Sequence, residues 1–433
     1  MTGTATVAGM QKRSLLALTS AFLISSLAVS ASALKLPAVD CSKSQDARCR
    51  NADIGKVGQG LPFYLGGYTT IGSGYVDAAS NTLYVPVELG NQQDNQGVVM
   101  AVDLATGNRR VVSGYDGEEW IGKGQDYVDG SGRKATAYDL GRVEAVRPGP
   151  GGSILALVDK GLQARSEIFS IDPRTGDRAL VWASKVFPDS ARDGATSIRT
   201  IESSRVGGEH FCRSAGDDRV GLKPSETFEA DGQYIYLFMP NQPSGTGIGL
   251  MRYPLAGGKC EWVSQYWPDG TGDVGSGPTI NTLSPLVMTS AMVGGEFLAA
   301  TGPNPGGNVL FGIKTAGGAR RTVSALSQNN PARRKGEGAD ALGYSRRMAV
   351  TGDLLLTLGS EPGNSSFEPV LIDLRTGNRS AVEAKSGSLK GVGRDSNANI
   401  VAGIPGTTQF IVAFDKGLHV LDVKTGQSYL LSK

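Results

Sequence analysis

A short pattern recurs along this chain of 433 residues, and it constrains the possible fold more than any other feature. The pattern is an apolar run, an aspartate, two residues, Thr-Gly, one residue and an arginine. Its four copies begin at Val98, Glu167, Pro369 and Leu418. The last copy has Ser428 in place of the arginine, and two weaker copies, at Gly249 and Asn308, lack the aspartate. A unit repeated in this way predicts one large repetitive domain.

Each copy of the pattern predicts a β-hairpin. The aspartate ends one strand and accepts hydrogen bonds from the amides of the turn, and the glycine supplies the positive φ that closes the turn. The strand before the turn is apolar on both faces, which is typical of a sheet buried between neighbours. Two more strand-like runs precede several hairpins, such as RVEAVRPG and SILALVD ahead of Glu167. Four strands in each unit are the content of one β-propeller blade.

Six such units between about Gly66 and Lys433 predict an all-β chain with a single six-bladed β-propeller, and seven blades are the alternative. The units average roughly 60 residues, which is longer than a usual blade. The excess length lies in two insertions, at about 115–141 and 184–223. Insertions in propellers fall in loops at one face, which is often the functional face.

A second element, Gly-x-Gly-x-Asp, begins at Gly122, Gly336 and Gly391. We expect it to carry the chain from the outer edge of one blade to the inner strand of the next, because glycines suit a sharp path. Its recurrence indicates a structural task, so its aspartates are expected mainly to cap turns.

The first 33 residues have the features of a secretory signal peptide. Lys12 and Arg13 form a basic region, an apolar run follows, and a small-residue cleavage site ends at Ala33. The predicted organisation is a signal peptide at 1–33, an N-terminal segment at 34–65 and the propeller at 66–433. No second apolar run is long enough to span a membrane. We therefore expect a periplasmic or secreted protein.

The charge balance bears on the class of partner. Loss of Lys12 and Arg13 with the signal lowers the count of Lys and Arg from 43 to 41, which equals the 41 Asp and Glu. A formally neutral mature chain argues against nucleic-acid binding, which needs a basic excess to neutralise phosphates. Short basic clusters such as Arg333-Arg334-Lys335 are typical of solvated loops.

The chain has four cysteines, and an exported chain with four cysteines is expected to form two disulfides. Three pairings are possible. Cys41–Cys49 with Cys212–Cys260 is the simplest of them, because the members of each pair are near in sequence. No CxxC motif occurs, so neither a zinc knuckle nor a redox dithiol is indicated.

The run GSGPTINTLSPLV, together with hairpins such as IDPRTGDRALV, resembles the bacterial NHL-type and gluconolactonase/regucalcin-like propeller repeats. The resemblance covers the chain from about Gly66 onward. It implies a central divalent cation, as in the lactonases and esterases of that superfamily, or a histidine with magnesium, as in the streptogramin lyases. Of the two histidines, His210 lies in an insertion and His419 in the last blade. Glu144 is the nearest counterpart of the lactonases' Glu-Gly-Pro opening.

Polar residues at the starts of the innermost strands are the natural site candidates, because these strands line a propeller's central channel. The candidates for the channel or for a metal ion are Glu144, Glu226, Asn281, Asp340 and Asp395. Calcium or magnesium takes oxygen ligands from carboxylates and amides, and a bound ion polarises a carbonyl and lowers the pKa of water. The alternative is that these side chains are paired or solvated residues of the channel wall.

Residues of the insertions are the candidates for binding a partner. These candidates are Trp120, Tyr127, Tyr138 and His210. Because tryptophan and tyrosine are frequent interface anchors, the first hypothesis is a non-catalytic module of the bacterial envelope. It would bind a protein, a glycan or a small-molecule ligand at one propeller face. The alternative is a divalent-metal-dependent lactonase, esterase or lyase with its site in the central channel, so the sequence leaves open whether the chain is an enzyme.

Overall fold

A computed structural model of the chain shows six antiparallel sheets arranged in a ring. The residues that the structure describes are 34–42, 46–50, 56–63, 70–89, 96–128, 134–136, 140–159, 166–183, 227–239, 248–257, 260–266, 274–278, 287–301, 309–326, 335–339, 347–359, 368–390 and 398–433. All of them belong to one unit, Ala33–Lys433.

Four antiparallel strands in chain order form the body of each blade. Blade 1 consists of β1 (Thr70–Ile71), β2 (Tyr75–Asp77), β3 (Thr82–Leu89), β4 (Gln96–Asp103), β5 (Arg109–Tyr115) and β6 (Trp120–Ile121). Both β1 and β2 pair with β3, so together they take the innermost position. A separate hairpin of β7 (Asp126–Val128) and β8 (Lys134–Thr136) follows. Blade 2 consists of β9 (Arg142–Pro148), β10 (Ile154–Asp159), β11 (Ser166–Ile171) and β12 (Arg178–Ala183).

The remaining blades have the same order of strands, from the innermost to the outermost. Blade 3 consists of β13 (Phe228–Ala230), β14 (Tyr234–Met239), β15 (Ile248–Pro254) and β16 (Glu261–Tyr266). Blade 4 consists of β17 (Val287–Val293), β18 (Glu296–Thr301), β19 (Val309–Lys314) and β20 (Arg320–Ala325). Blade 5 consists of β21 (Met348–Thr351), β22 (Leu354–Gly359), β23 (Glu368–Asp373) and β24 (Arg379–Ala381). Blade 6 consists of β26 (Asn399–Gly403), β27 (Gln409–Phe414), β28 (Gly417–Asp422) and β29 (Gln427–Ser432), with β25 (Ser386–Gly387) parallel to β29.

The innermost strands contact one another in the cyclic order β2, β9, β13, β17, β21, β26 and back to β2. The ring therefore closes with six blades, as the repeat predicts, and not with seven. The core lies between the blades. Val98 and Met100 of β4 pack with residues of blade 6, while Val99 and Ala101 pack with residues of blade 2, because successive residues of a strand point to opposite faces. The strand is thus apolar on both faces, as predicted.

The hairpin turns of the repeat have the predicted geometry. Asp103 Oδ1 accepts hydrogen bonds from the amides of Ala105 and Thr106 at 3.0 and 2.7 Å. The aspartates of the other three copies accept from turn amides in the same way. The turn glycines have φ values between 73° and 79°, and they are Gly107, Gly176, Gly377 and Gly426. Both sequence-based assignments, of aspartate as acceptor and of glycine as turn closer, are confirmed.

The arginine that ends the repeat joins four of the blades to the blade before them. These buried arginines are Arg109, Arg178, Arg320 and Arg379. Each donates a hydrogen bond of 2.6 to 2.9 Å to a serine Oγ on the fourth strand in the body of the preceding blade, and the serines are Ser432, Ser113, Ser264 and Ser324 on β29, β5, β16 and β20. The guanidinium groups also donate to backbone carbonyls of the segment that connects the two blades. We call this set of contacts the arginine clamp.

The glycines of the Gly-x-Gly element let the connecting segment approach the arginine clamp closely. Arg178 donates to the carbonyls of Ile121 and Gly122 at 2.9 and 3.3 Å. A Cβ on Gly122, whose φ is +79°, would lie 2.0 Å from the carbonyl oxygen of Gly176 in the hairpin turn of blade 2. Glycine is required at position 122 for its φ and for the close approach. The Gly-x-Gly element therefore lies on the outer turn of the next blade before the chain turns in to the inner strand.

Two junctions between blades use other residues in place of the clamp. At the repeat position of the arginine, blade 3 has Cys260, which is disulfide-bonded, and its predicted partner Cys212 lies outside the described residues. Blade 6 has Ser428, whose Oγ donates to the carbonyl of Ser386 at 2.9 Å. The other predicted disulfide, Cys41–Cys49, is confirmed.

The ring closes between blade 6 and blade 1 without a blade shared by the two ends of the chain, since β26 to β29 follow one another in sequence. Residues 56–63 provide the closure, and we call them the closing strap. The carbonyl of Val57 accepts a hydrogen bond from the amide of Lys433 at 3.0 Å. It also accepts one from the guanidinium of Arg109 at 2.9 Å. The strap thus bonds to the last residue of blade 6 and to the first clamp.

Candidate functional site

The inner strands of three blades meet at a bulge on the ring axis. Residues 72–74, between β1 and β2, turn away from blade 1 toward its neighbours. The amide of Ser73 donates to the carbonyl of Glu144 in blade 2 at 3.1 Å, and the amide of Gly74 donates to the carbonyl of Val401 in blade 6 at 3.0 Å. The bulge therefore bonds the backbone of blade 1 directly to the inner strands of both neighbouring blades.

A buried polar network continues from this bulge across blades 2, 3 and 4. The guanidinium of Arg147 on β9 donates two hydrogen bonds of 2.8 Å to the carboxylate of Glu229 on β13. The hydroxyl of Ser290 on β17 donates to the same carboxylate at 2.8 Å and lies 2.7 Å from the hydroxyl of Thr227. Arg147 also donates to the hydroxyl of Ser73 at 3.0 Å. Charge-assisted bonds in this fork geometry are among the strongest in proteins.

Glu144 belongs to a second set of contacts on the axis. Its buried carboxylate lies 2.7 Å from Nε of Arg142, whose side chain is 40% exposed and also lies 3.6 Å from Glu88. The backbone carbonyl of Glu144 accepts a hydrogen bond of 3.3 Å from Arg347. Arg347 directly precedes β21, which is opposite β9 in the ring. Its side chain therefore reaches across the axis to the far blade.

Hydrogen bonds join the bulge and these side chains across the inner strands of blades 1 to 5, and we call this set the axial plug. The plug consists of residues 72–74, Arg147, Glu229, Ser290 and Arg347. The buried carboxylate of Glu229 in the plug is bonded to the guanidinium of Arg147, because a buried charge requires an opposite charge beside it. A carboxylate held in an arginine fork has its oxygens engaged and is a weak competitor for a cation. Within the described ranges no group of three or more His, Cys, Asp or Glu side chains is placed to hold a metal ion.

The structure describes one of the five residues predicted for the channel or a metal, and it places Glu144 on the inner wall, paired with Arg142. The other four lie outside the described residues, and they are Glu226, Asn281, Asp340 and Asp395. Sequence reasoning missed Arg147 and Glu229. The signal for both was a charged residue on an innermost strand.

Trp120 is the described member of the binding candidates. It lies on β6, which pairs with β5, and its ring is 5.7 Å from that of Tyr115. Tyr127 belongs to β7, but its side chain lies outside the described part, as do Tyr138 and His210. The two described rings thus form a pair beside the outermost strand of blade 1, just before the β7–β8 hairpin.

His419 on β28 is buried, and both of its ring nitrogens have partners. Nε2 donates to the carbonyl of Phe414 at 3.2 Å, so Nδ1 accepts from the hydroxyl of Ser388 at 2.8 Å. Burial lowers the pKa of His419 from 6.5 to about 4, and the nearby Lys433 acts in the same direction. Ser388 is also buried, with 1% of its surface exposed. The role of this Ser–His pair is to hold the segment after β25 against blade 6.

No helix among the described residues is long and apolar enough to cross a membrane. No protein-family model matches the chain, and no curated protein matches it. Among solved structures, the chain is similar to one in a nidogen/laminin complex, with a TM-score of 0.38, 11% identity and coverage of 71% of this chain and 78% of that one. It is similar to TolB from Acinetobacter baumannii, with a TM-score of 0.37, 10% identity and coverage of 74% and 55%. It is also similar to an uncharacterized protein from Listeria monocytogenes, with a TM-score of 0.40, 9% identity and coverage of 87% and 97%.

Proposed function

We propose that this chain is an exported propeller that binds a protein, a glycan or a small-molecule ligand in the bacterial envelope. The observation that carries the proposal is the axial plug. Two of its three charged groups, Arg147 and Glu229, are bonded to each other, and all three are less than 10% exposed. Groups held in this way build a rigid floor rather than a set of reactive side chains. A ligand would bind above this floor.

The topology supports a ligand site at one particular end of the ring. In a four-stranded antiparallel sheet, the first strand starts and the fourth strand finishes at the same edge of the sheet, and hence at the same end of the ring. The connections between blades at that end include 116–141 and 184–227. At the opposite end, turns of two residues suffice, as at 294–295 and 352–353. Long connections on a rigid scaffold are where binding residues concentrate, so the site is proposed at the end where the inner strands begin.

Removal of the β7–β8 hairpin tests the proposal. Residues 126–136 are replaced by Gly-Ser, which leaves the Gly-x-Gly element at Gly122 and its clamp on Arg178 intact. We expect retention of a ligand from a glycan array or an envelope extract to fall by about tenfold or more, equivalent to at least 1.4 kcal/mol of binding free energy. The thermal midpoint should stay unchanged, because the clamp is preserved.

The matched control is Asp353→Ala, which removes a 60% exposed side chain in the turn between β21 and β22, at the opposite end of the ring. This variant should retain the ligand as the wild-type chain does. Equal retention by the hairpin deletion and the wild-type chain would contradict the proposed site.

The alternative is a divalent-metal-dependent lactonase, esterase or lyase of the gluconolactonase-like type, which the sequence resemblance supports. It requires a calcium or magnesium ion, with Glu144 among the ligands, and hence release of Glu144 from Arg142. Thermal unfolding in excess EDTA and then in calcium or magnesium distinguishes the two proposals. An ion at a hundredfold excess over its Kd would stabilise the native chain by about 2.7 kcal/mol. A shift of that kind favours the enzyme, and coincident unfolding curves favour the binding module.

A further inference from the structure

The closing strap makes the same set of contacts with blade 1 as the connection between blades 4 and 5 makes with blade 5. Gly58 has a φ of +78°, and a Cβ there would lie 2.0 Å from the carbonyl oxygen of Gly107. At the junction of blades 4 and 5, Gly336 has a φ of +78°, and its Cβ would lie 1.9 Å from that of Gly377. Both glycines therefore lie on the turn of the next blade in the same geometry.

The hydrogen bonds of the two junctions also correspond. In the strap, the amide of Gln59 donates to Asn108 Oδ1 at 2.8 Å, and its carbonyl accepts from the amide of Arg109 at 2.7 Å. In the connection between blades 4 and 5, Glu337 makes the same two bonds with Asn378 and Arg379, at 2.9 and 2.7 Å. The strap is thus a further copy of the connecting element, although sequence analysis places it in the N-terminal segment.

The two segments differ in how they are tethered. Residues 335–339 are joined through the chain to β20 before them and to β21 after them. The strap is joined covalently to only one blade, through residues 64–69 to β1. On its other side the chain leads to residues 34–50, which are held by non-covalent contacts, among them packing against the cluster of blades 1 and 6 and contacts of residues 47–49 with β29. A segment joined covalently to a blade at each end rebinds at a high effective concentration, whereas a segment joined covalently to a single blade rebinds less readily.

We propose that the closing strap detaches reversibly from the propeller. Its departure opens the junction of blades 6 and 1 while all six blades stay folded. Its anchor is Phe63, which is fully buried in the cluster between these blades and lies under the guanidinium of Arg109 at 5.3 Å. Departure of the strap uncovers this part of the cluster and removes the carbonyl partners of Arg109. The junction is then held by the remaining core and by the inner strands.

Hydrogen exchange of the complete wild-type chain, followed by mass spectrometry, tests this proposal, with residues 335–339 as the matched control inside the same molecule. Local openings exchange amides independently of global unfolding, so we expect the strap to exchange about tenfold faster than the control segment. Its exchange rate should stay constant at low denaturant concentrations. Equal protection of the two segments, or exchange of the strap only with global unfolding, would overturn the proposal.

Three variants extend the test. Gly58→Ala should increase exchange in the strap and in the facing edges of blades 1 and 6, whereas Gly336→Ala should leave residues 335–339 in place and act only locally. A disulfide between Val57→Cys and Lys433→Cys, introduced into the complete chain, should slow exchange of the strap to the rate of the control segment. A cross-linked chain whose strap exchanges as fast as that of the wild type would also overturn the proposal.

Discussion

The ion pair of Arg147 and Glu229 shows how one residue pair fixes the inner surface of the propeller. The two side chains come from neighbouring blades, and they are 8% and 6% exposed. Water screens such a pair little, so removal of one partner leaves an uncompensated buried charge. The pair therefore fixes how β9 and β13 lie beside each other, and its energetic contribution can be measured.

A double-mutant cycle gives that measurement. Arg147→Met alone and Glu229→Met alone should each lower the free energy of unfolding by about 3 to 5 kcal/mol, because each leaves its partner unpaired. The double variant should recover most of this loss, since it leaves no unpaired charge. Chemical denaturation measures all four proteins. Additive losses would show that the two charges are solvated independently.

The exposed pair of Arg252 and Glu261 serves as the control cycle. These side chains are 31% and 55% exposed, and they are bonded at 2.6 Å. Solvent screening limits such a pair to about 1 kcal/mol or less, so its coupling energy should be clearly smaller than that of the buried pair.

His419 makes the stability of the chain depend on pH. Its pKa is about 4 in the folded chain, because burial opposes protonation, against 6.5 for the exposed group. Below pH 6.5 the unfolded chain takes up a proton that the folded chain does not take up until about pH 4. Stability is therefore lost as pH falls through this window, by about 3 kcal/mol in total. Denaturation of the wild type and of His419→Gln between pH 4 and 7 checks this. Parallel pH profiles of the two proteins would contradict it.

At the scale of elements, the sequence predicted local features well and contacts between blades poorly. The turns at Asp103 and Gly107 were predictable because their bonds join residues only a few positions apart. The glycine pair at Gly122 was located correctly in a connection between blades. Its position on the turn at Gly176 was not predictable, because that contact joins residues from different repeats.

The disulfide of Cys260 shows how such contacts change the interpretation of a residue. Sequence analysis paired it with Cys212 because the two are near in sequence. The repeat adds a physical reason, since Cys260 occupies the position at which four other blades have the clamping arginine. A covalent bond at that position would fasten the connection 184–227 to blade 3 as the arginine clamp fastens other connections.

At the scale of the whole molecule, the number of blades followed from the repeat, while the candidate site did not. Six hairpin units predict six blades because each unit buries its faces only against neighbours. The plug was not predictable, because Arg347 and Glu144 come from opposite blades and meet only when the ring closes. Four of the candidate channel residues lie in connections outside the described residues, so their assignment stays a prediction.

The meeting of Val57 and Lys433 has a consequence for the order of the blades along the chain. In the described part of the chain, Gly122, Gly275 and Gly336 of three connections each lie on the hairpin turn of the next blade, and the strap makes the same contact between blade 6 and blade 1 through Gly58. These contacts at the junctions therefore do not mark any one blade as the first. A circularly permuted chain, with residue 433 joined to residue 56 and new ends inside a connection such as 302–308, would present the same junctions in the same places. The order of the blades along the chain could therefore change while their order around the ring stays the same.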